Sequence, residues 1–220
     1  MKSKLSKYAL GLMMGMGLMG MNTTVQAADS VSMFADIGGY SQYIFRGAGQ
    51  GLDASGNGTA SLQGDVGIEH ESGVSANVWF ATGVNGAAGT GSETEFDFTV
   101  DYSGEAGDIG YSVGYIAYVY TDSTLDVNEF YIGGSYDIAS LTAYIGDGYN
   151  YIEGGVGSSV ADMFDASLSV GYETNAKTTH TTFGASKDFD MESFTMTPSL
   201  TVGNTKAGGT EYALGVNASF

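Results

Sequence analysis

The 220 residues include no cysteine, one proline and 35 glycines, and they carry 25 acidic against 7 basic side chains. Disulfides, thiolate metal sites and thiol nucleophiles are therefore excluded, and a net charge of −18 argues against nucleic acid as a partner. The length suits one domain, and glycines scattered among alternating apolar residues rule out a collagen-like or linker sequence.

The chain begins as an exported protein does. Lys2, Lys4 and Lys7 make a basic start, Tyr8 to Met21 form an apolar run, and Val25-Gln26-Ala27 offers the small-x-small pattern of a signal-peptidase site. This predicts a signal peptide over 1–27, cleaved after Ala27. The apolar run is shorter than the roughly 20 residues a spanning helix needs. Removing it leaves four basic side chains against all 25 acidic ones, a net charge of −21. Such acidity fits adaptation to salt water as readily as a functional field.

Residues 28–220 then break into segments of about ten residues with period-two alternation, the length of a tilted membrane strand. Met33 to Arg46 sets Ala35, Ile37, Tyr43 and Phe45 against Asp36, Gln42 and Arg46. Ala60 to His70 opposes Leu62, Val66 and Ile68 to Gln63, Asp65 and Glu69, and only Ser72-Gly73 precede the next run, Val74 to Thr82, a hairpin signal. In the fourth segment Phe96, Phe98, Val100 and Tyr102 oppose Glu95, Asp97, Thr99, Asp101 and Ser103. Ile109 to Tyr120, Asn128 to Tyr136, Leu141 to Ile145, Ile152 to Val160, Ala166 to Tyr172, Thr181 to Phe189 and Phe194 to Val202 follow with the same rhythm. Pro198 cannot donate to a ladder, so a bulge or a shorter strand is expected there.

The last segment, Thr210 to Phe220, places Tyr212, Leu214, Val216, Ala218 and Phe220 on one face. It resembles the closing strand of bacterial outer-membrane barrels, whose terminal Phe is read by the barrel-assembly machinery. The total is twelve segments. Connections alternate between long, Gly/Ser/Asn-rich ones (Gly47 to Gly58, Gly83 to Glu93) and short ones (Ser72-Gly73, Asp137 to Ser140, Ala161 to Asp165), the habit of outer-membrane barrels. Aromatics gather at segment ends: Phe45, Phe80, Phe96, Phe130, Tyr172 and Tyr212 toward the long connections, Tyr102, Tyr111, Tyr136, Phe194 and Phe220 toward the short, as in two interfacial girdles. The fold expected is all-β: a closed antiparallel up-and-down transmembrane β-barrel of about 12 strands, in the outer membrane, against lipid and lipopolysaccharide.

The run Tyr40-Ser41-Gln42-Tyr43-Ile44-Phe45-Arg46-Gly47, with Leu62-Gln63-Gly64-Asp65, His70-Glu71-Ser72-Gly73, Val78-Trp79, Glu95-Phe96-Asp97, Tyr111-Ser112-Val113-Gly114-Tyr115 and Asn128-Glu129-Phe130-Tyr131-Ile132-Gly133, resembles the TorF family of bacterial porins. The likeness is strongest from Tyr40 to Tyr136 and departs at Gly49-Gln50, where the family shows Ser before Gln. It implies an outer-membrane barrel with a channel role.

If the apolar face meets lipid, the other face lines the interior. It collects Asp36, Asp65, Glu69, Glu95, Asp97, Asp101 and Glu129, with Arg46 as the one cation among them; Lys177, Lys187 and Lys206 fall in or near connections. So many carboxylates require an interior that is wet, cross-paired or both. A water-filled acidic pore for small hydrophilic solutes would favour cations; alternatively Arg46 knits the wall into a non-conducting structural or adhesion barrel. Trp79, Tyr118, Tyr120, Tyr131 and Tyr144 share the inner face, where rings stack on sugar or base faces or simply fill a small barrel. Neither His70 nor His180 lies in a nucleophile motif, carboxylates at spacing two follow from any acidic strand, and Asp147-Gly148-Tyr149-Asn150 lacks the rest of a calcium loop. No enzyme, cofactor or metal is expected.

Overall fold

The computed structural model describes residues 24–28, 30–85, 91 and 93–220, so the basic start and apolar run of the expected signal peptide lie outside the described residues. In chain order the strands are β1 (Thr24–Ala28), β2 (Val31–Tyr40), β3 (Ile44–Phe45), β4 (Ala48–Gly49), β5 (Ser61–His70), β6 (Val74–Val84), β7 (Glu93–Ala106) and β8 (Ile109–Tyr120). After a 3-10 turn (Ser123–Leu125) come β9 (Val127–Tyr136), β10 (Ala139–Gly146), β11 (Tyr149–Val160), β12 (Phe164–Glu173), β13 (Thr178–Ser186), β14 (Phe189–Asp190), β15 (Thr195–Thr205) and β16 (Gly209–Ser219).

Twelve of these close a ring. From β5 to β13 each strand pairs antiparallel with the next, β13 pairs with β15, β15 with β16, and β16 returns to β2, which also pairs with β5. Closure leaves no long free edge, the condition for a sheet to exist where no water can satisfy backbone groups. The seam is short: β16 covers Asp36 to Tyr40 of β2, and the Phe220 N–H donates to the Ala35 carbonyl. Beyond it β1 pairs with Val31 to Phe34, so the expected cleavage point after Ala27 falls within a paired strand.

Polarity is inverted relative to a water-soluble domain. On β7 the outward Phe96, Phe98, Val100 and Tyr102 are exposed, while Glu95, Asp97, Thr99 and Asp101 are buried. Leu214 on β16 is 65% exposed. The period of two puts every second residue on one face, and the ladder carries that alternation across strands without a slip from β7 through β13. Phe96, Phe130, Tyr172 and Tyr212 are exposed near one rim, Tyr102, Tyr111, Tyr136 and Phe220 near the other.

Three expectations are corrected. The first strand does not run to Arg46 but ends at Tyr40, and Tyr43 and Phe45 turn into the barrel instead of facing outward, so Phe45 does not join the outer girdle. Pro198 causes no bulge: β15 stays in register with β16 through Pro198↔Val216. Its carbonyl accepts from Lys187 N, so its N–H-less edge faces the gap between β13 and β14, where no donor is missed. That gap also divides the segment expected over Thr181 to Phe189. Finally, long connections at one rim are confined to 41–60 and 85–92; those after β10, β12 and β15 are short, whereas the opposite rim carries the longer 187–194.

An outward belt adapted to hydrocarbon makes a charge at its centre costly. Val100→Arg is expected to destabilise the barrel in lipid vesicles by about 2–4 kcal/mol, read from urea titration of the folded form; no loss of stability would contradict a lipid-facing β7.

Candidate functional site

The connection from β2 to β5 folds into the barrel. Ser41 turns the chain, its N–H donating to the Leu214 carbonyl and its hydroxyl accepting from Leu214 N. β3 and β4 then form a small hairpin whose turn is Arg46-Gly47, with φ of 47° and 74°, the positive pair that a tight two-residue hairpin demands. Gly47 is required twice over: besides its φ, a Cβ there would lie 2.8 Å from the carbonyl oxygens of both Thr181 and Asn204. The hairpin thus rests backbone to backbone on β13 and β15. The connection is tied at its outer end by Asn85, whose N–H donates to Gln50 and whose side chain accepts from Leu52 N.

From that turn Arg46 reaches the opposite wall. Its two terminal nitrogens meet the two oxygens of Glu129 at 2.7 and 2.8 Å, a bidentate pairing and the one salt bridge among the described residues. The guanidinium carbon lies 4.7 Å from the Phe45 ring centroid, 4.5 Å from Tyr144 and 4.1 Å from Tyr151, within cation–π range. Glu129, wholly buried, also accepts 2.7 Å bonds from the Tyr118 and Tyr149 hydroxyls. The Arg46 carbonyl takes a 2.6 Å bond from His180 Nδ1; because a carbonyl only accepts, that nitrogen carries the proton. Tyr43, on the same connection, packs over Trp79 at 5.2 Å.

The remaining carboxylates are paired mostly with neutral donors. Tyr120 donates to Glu95, Tyr131 to Asp101, and the Asn77 amide to both oxygens of Asp65. Tyr151 and Ser169 donate to Glu153, and Gly171 leaves the space its ring occupies, a Cβ there falling 1.9 Å from the Tyr151 hydroxyl. Of the residues expected on the inner face, Asp36, Arg46, Asp65, Trp79, Glu95, Asp97, Asp101, Tyr118, Glu129, Tyr131 and Tyr144 are buried and Tyr120 is half-buried, while Glu69 is exposed at the end of β5. Tyr43, Phe45, Tyr149, Tyr151, Glu153 and His180 complete the cluster without having been expected on the inner face. Tyr149 belonged to the turn weighed for calcium, and its hydroxyl instead turns inward.

Packing is uneven around the ring. Rings and carboxylates fill the interior along β6 to β11. Along β12 to β15 the inward residues at mid-strand are Ser169, Thr182, Ser199 and Thr201, and all four are partly exposed. Several polar atoms at the meeting of connection and wall have no partner: Gln42 Nε2, Arg46 Nε, Trp79 Nε1, His180 Nε2 and both oxygens of Asp97. No group of three or more His, Asp or Glu side chains among the described residues is arranged to hold a metal.

A family model described as "Bacterial protein of unknown function (Gcw_chp)" matches residues 24–213, not one described by the TorF porins that the motifs resemble. A search of curated proteins finds no match. Among solved structures, "KdgM porin" aligns at 12% identity with a TM-score of 0.62, over 85% of this chain and 99% of that one, and "KdgM porin in complex with disordered oligogalacturonate" aligns equally well. OccAB4 of Acinetobacter baumannii aligns at 10% identity with a TM-score of 0.40, over 90% of this chain and 63% of that one. At these identities the likeness to KdgM is one of fold: a closed antiparallel barrel.

The pairing of Arg46 has a proteolytic signature. Removing one partner of a buried ion pair costs about 3–5 kcal/mol, and a connection outside the ladder relieves that cost by withdrawing. Trypsin is expected to spare the Arg46–Gly47 bond in the folded wild-type barrel and to cut it in Glu129→Gln; equal resistance in both would contradict the pair as the pin.

Proposed function

The chain belongs to the Gcw_chp family of bacterial proteins of unknown function, and from its barrel and interior we propose that it is an outer-membrane, porin-like channel for passive diffusion of small hydrophilic solutes, not an enzyme. The observation that carries this reading is the wall of β12 to β15. Ser169, Thr182, Ser199 and Thr201 face inward at mid-strand yet are partly exposed, as expected of a barrel whose interior water reaches. A hydroxyl-lined strip beside a packed aromatic half makes a narrow passage, one that selects by size and polarity.

Cations are preferred. The inward carboxylates are offset by the single guanidinium of Arg46, and the other basic side chains among the described residues, Lys177, Lys187 and Lys206, are exposed in connections. A solved barrel of similar fold was obtained with oligogalacturonate; the acidic interior here disfavours an anionic oligosaccharide of that kind. Export with removal of residues 1–27, a belt against lipid and lipopolysaccharide, and reading of Phe220 by the barrel-assembly machinery belong to the same proposal.

The bidentate Arg46–Glu129 pair favours a second reading, a structural or adhesion barrel closed by its own connection. Refolded protein in planar bilayers under a salt gradient decides between them. A small conductance with a reversal potential on the cation side is expected; anion selectivity overturns the preference, and absence of conductance overturns the channel.

A further inference from the structure

The surroundings of Arg46 have the form of a receptor with its ligand in place. On the wall, Glu129 presents two oxygens in the plane of the fork, and the Tyr118 and Tyr149 hydroxyls bond the same carboxylate at 2.7 Å and so fix its orientation. The Tyr144 and Tyr151 rings lie 4.5 and 4.1 Å from the guanidinium carbon. All five side chains belong to barrel strands β8 to β11, while the guanidinium they hold belongs to a connection. Arg46 Nε makes no hydrogen bond, so recognition is confined to the terminal nitrogens and the rings, the part that any monosubstituted guanidinium presents.

We propose that Glu129, Tyr118, Tyr149, Tyr144 and Tyr151 form a binding site for guanidinium-bearing solutes, of which Arg46 is the tethered occupant. Withdrawal of Arg46 breaks no barrel pairing, because β3 and β4 pair only with each other. It also relieves a non-glycine residue at φ 47°, a region that costs free energy for a side chain with a Cβ, and lets water reach the unpartnered atoms of Gln42, Trp79 and His180. The side chain of the occupant therefore makes the bonds that a free solute of the same chemistry reproduces, while its carbonyl is tied separately to His180. A primary ammonium fits worse, since it offers a point charge rather than a planar fork.

The site rests on the channel reading only for how a solute reaches it, so binding is read separately from current. Folded Arg46→Ala barrel in detergent is heated with methylguanidinium or methylammonium at matched ionic strength, and the midpoint of the heat-induced gel shift is followed. Methylguanidinium is expected to raise the midpoint at about tenfold lower concentration than methylammonium, and the difference is expected to vanish in Arg46→Ala/Glu129→Gln. In planar bilayers the same cation blocks the Arg46→Ala current with the same selectivity. Equal responses to both cations, no response, or a selective response that persists in the double variant overturns the site; a selective midpoint shift without any current leaves the site standing and removes the channel. Should Arg46→Ala fail to fold, Arg46→Lys keeps the charge of the connection without its fork and takes its place in the comparison.

Discussion

A cation carried inside a barrel needs an anion within reach, because an unpaired buried charge costs far more than any packing gain returns. Arg46 meets that need at Glu129, across the interior from the strand its connection leaves. The position of the 41–60 connection follows from this contact together with Gly47 against β13 and β15 and Asn85 at the outer end. Tyr43 over Trp79 and Phe45 beside Tyr118 then pack as consequences. The interior of this barrel is organised by one guanidinium.

A second constraint is the excess of acid. With one arginine inside, the carboxylates cannot all be ion-paired, and tyrosine hydroxyls donate to Glu95, Asp101 and Glu153 as well as to Glu129 itself. Hydrogen bonds to a charged group contribute about 1.5–3 kcal/mol each, and Tyr118, Tyr120, Tyr131, Tyr149 and Tyr151 each supply one. A phenol also brings a ring that excludes water and faces the guanidinium. Unpartnered buried atoms remain at Gln42, Arg46, Trp79, Asp97 and His180, where the connection meets the wall, and also at Asp36, Asp101 and Asn217 on the barrel strands themselves.

The barrel was legible in the chain because period-two alternation is a local signal. Strand β8 runs over Ile109–Tyr120 as its pattern indicates, and the twelve-strand count follows from such segments. The inner-face carboxylates were legible for the same reason. Alternation misled at Tyr43 and Phe45, which continue the rhythm of β2 although the chain has already turned at Ser41, on a hydrogen bond to Leu214 173 residues away. Tyr151 and Glu153 escaped notice, and His180 was weighed only as a catalyst, because their importance lies in convergence: glycines blur the faces of β11, and His180 meets the Tyr151 ring and a carbonyl 134 residues distant. The small residue at Gly171, which admits the Tyr151 ring, was a signal available in the sequence but readable only with the register in hand.

The barrel combines a ring-filled half with a hydroxyl-lined half along β12 to β15, and the insert between them is held by the Arg46–Glu129 pair together with Gly47 and Asn85. On the proposed reading, permeation and solute recognition depend on that same pair. The chain's sole tryptophan reports on it, since Trp79 is 1% exposed beneath Tyr43. Quenching of Trp79 fluorescence in vesicles, by acrylamide from water and by brominated acyl chains from lipid, tests the account most directly. Weak quenching by both is predicted, from a residue inside the ring and under the insert; strong quenching by brominated lipid would place Trp79 on the outer face, and free quenching by acrylamide would mean that the connection does not fold in.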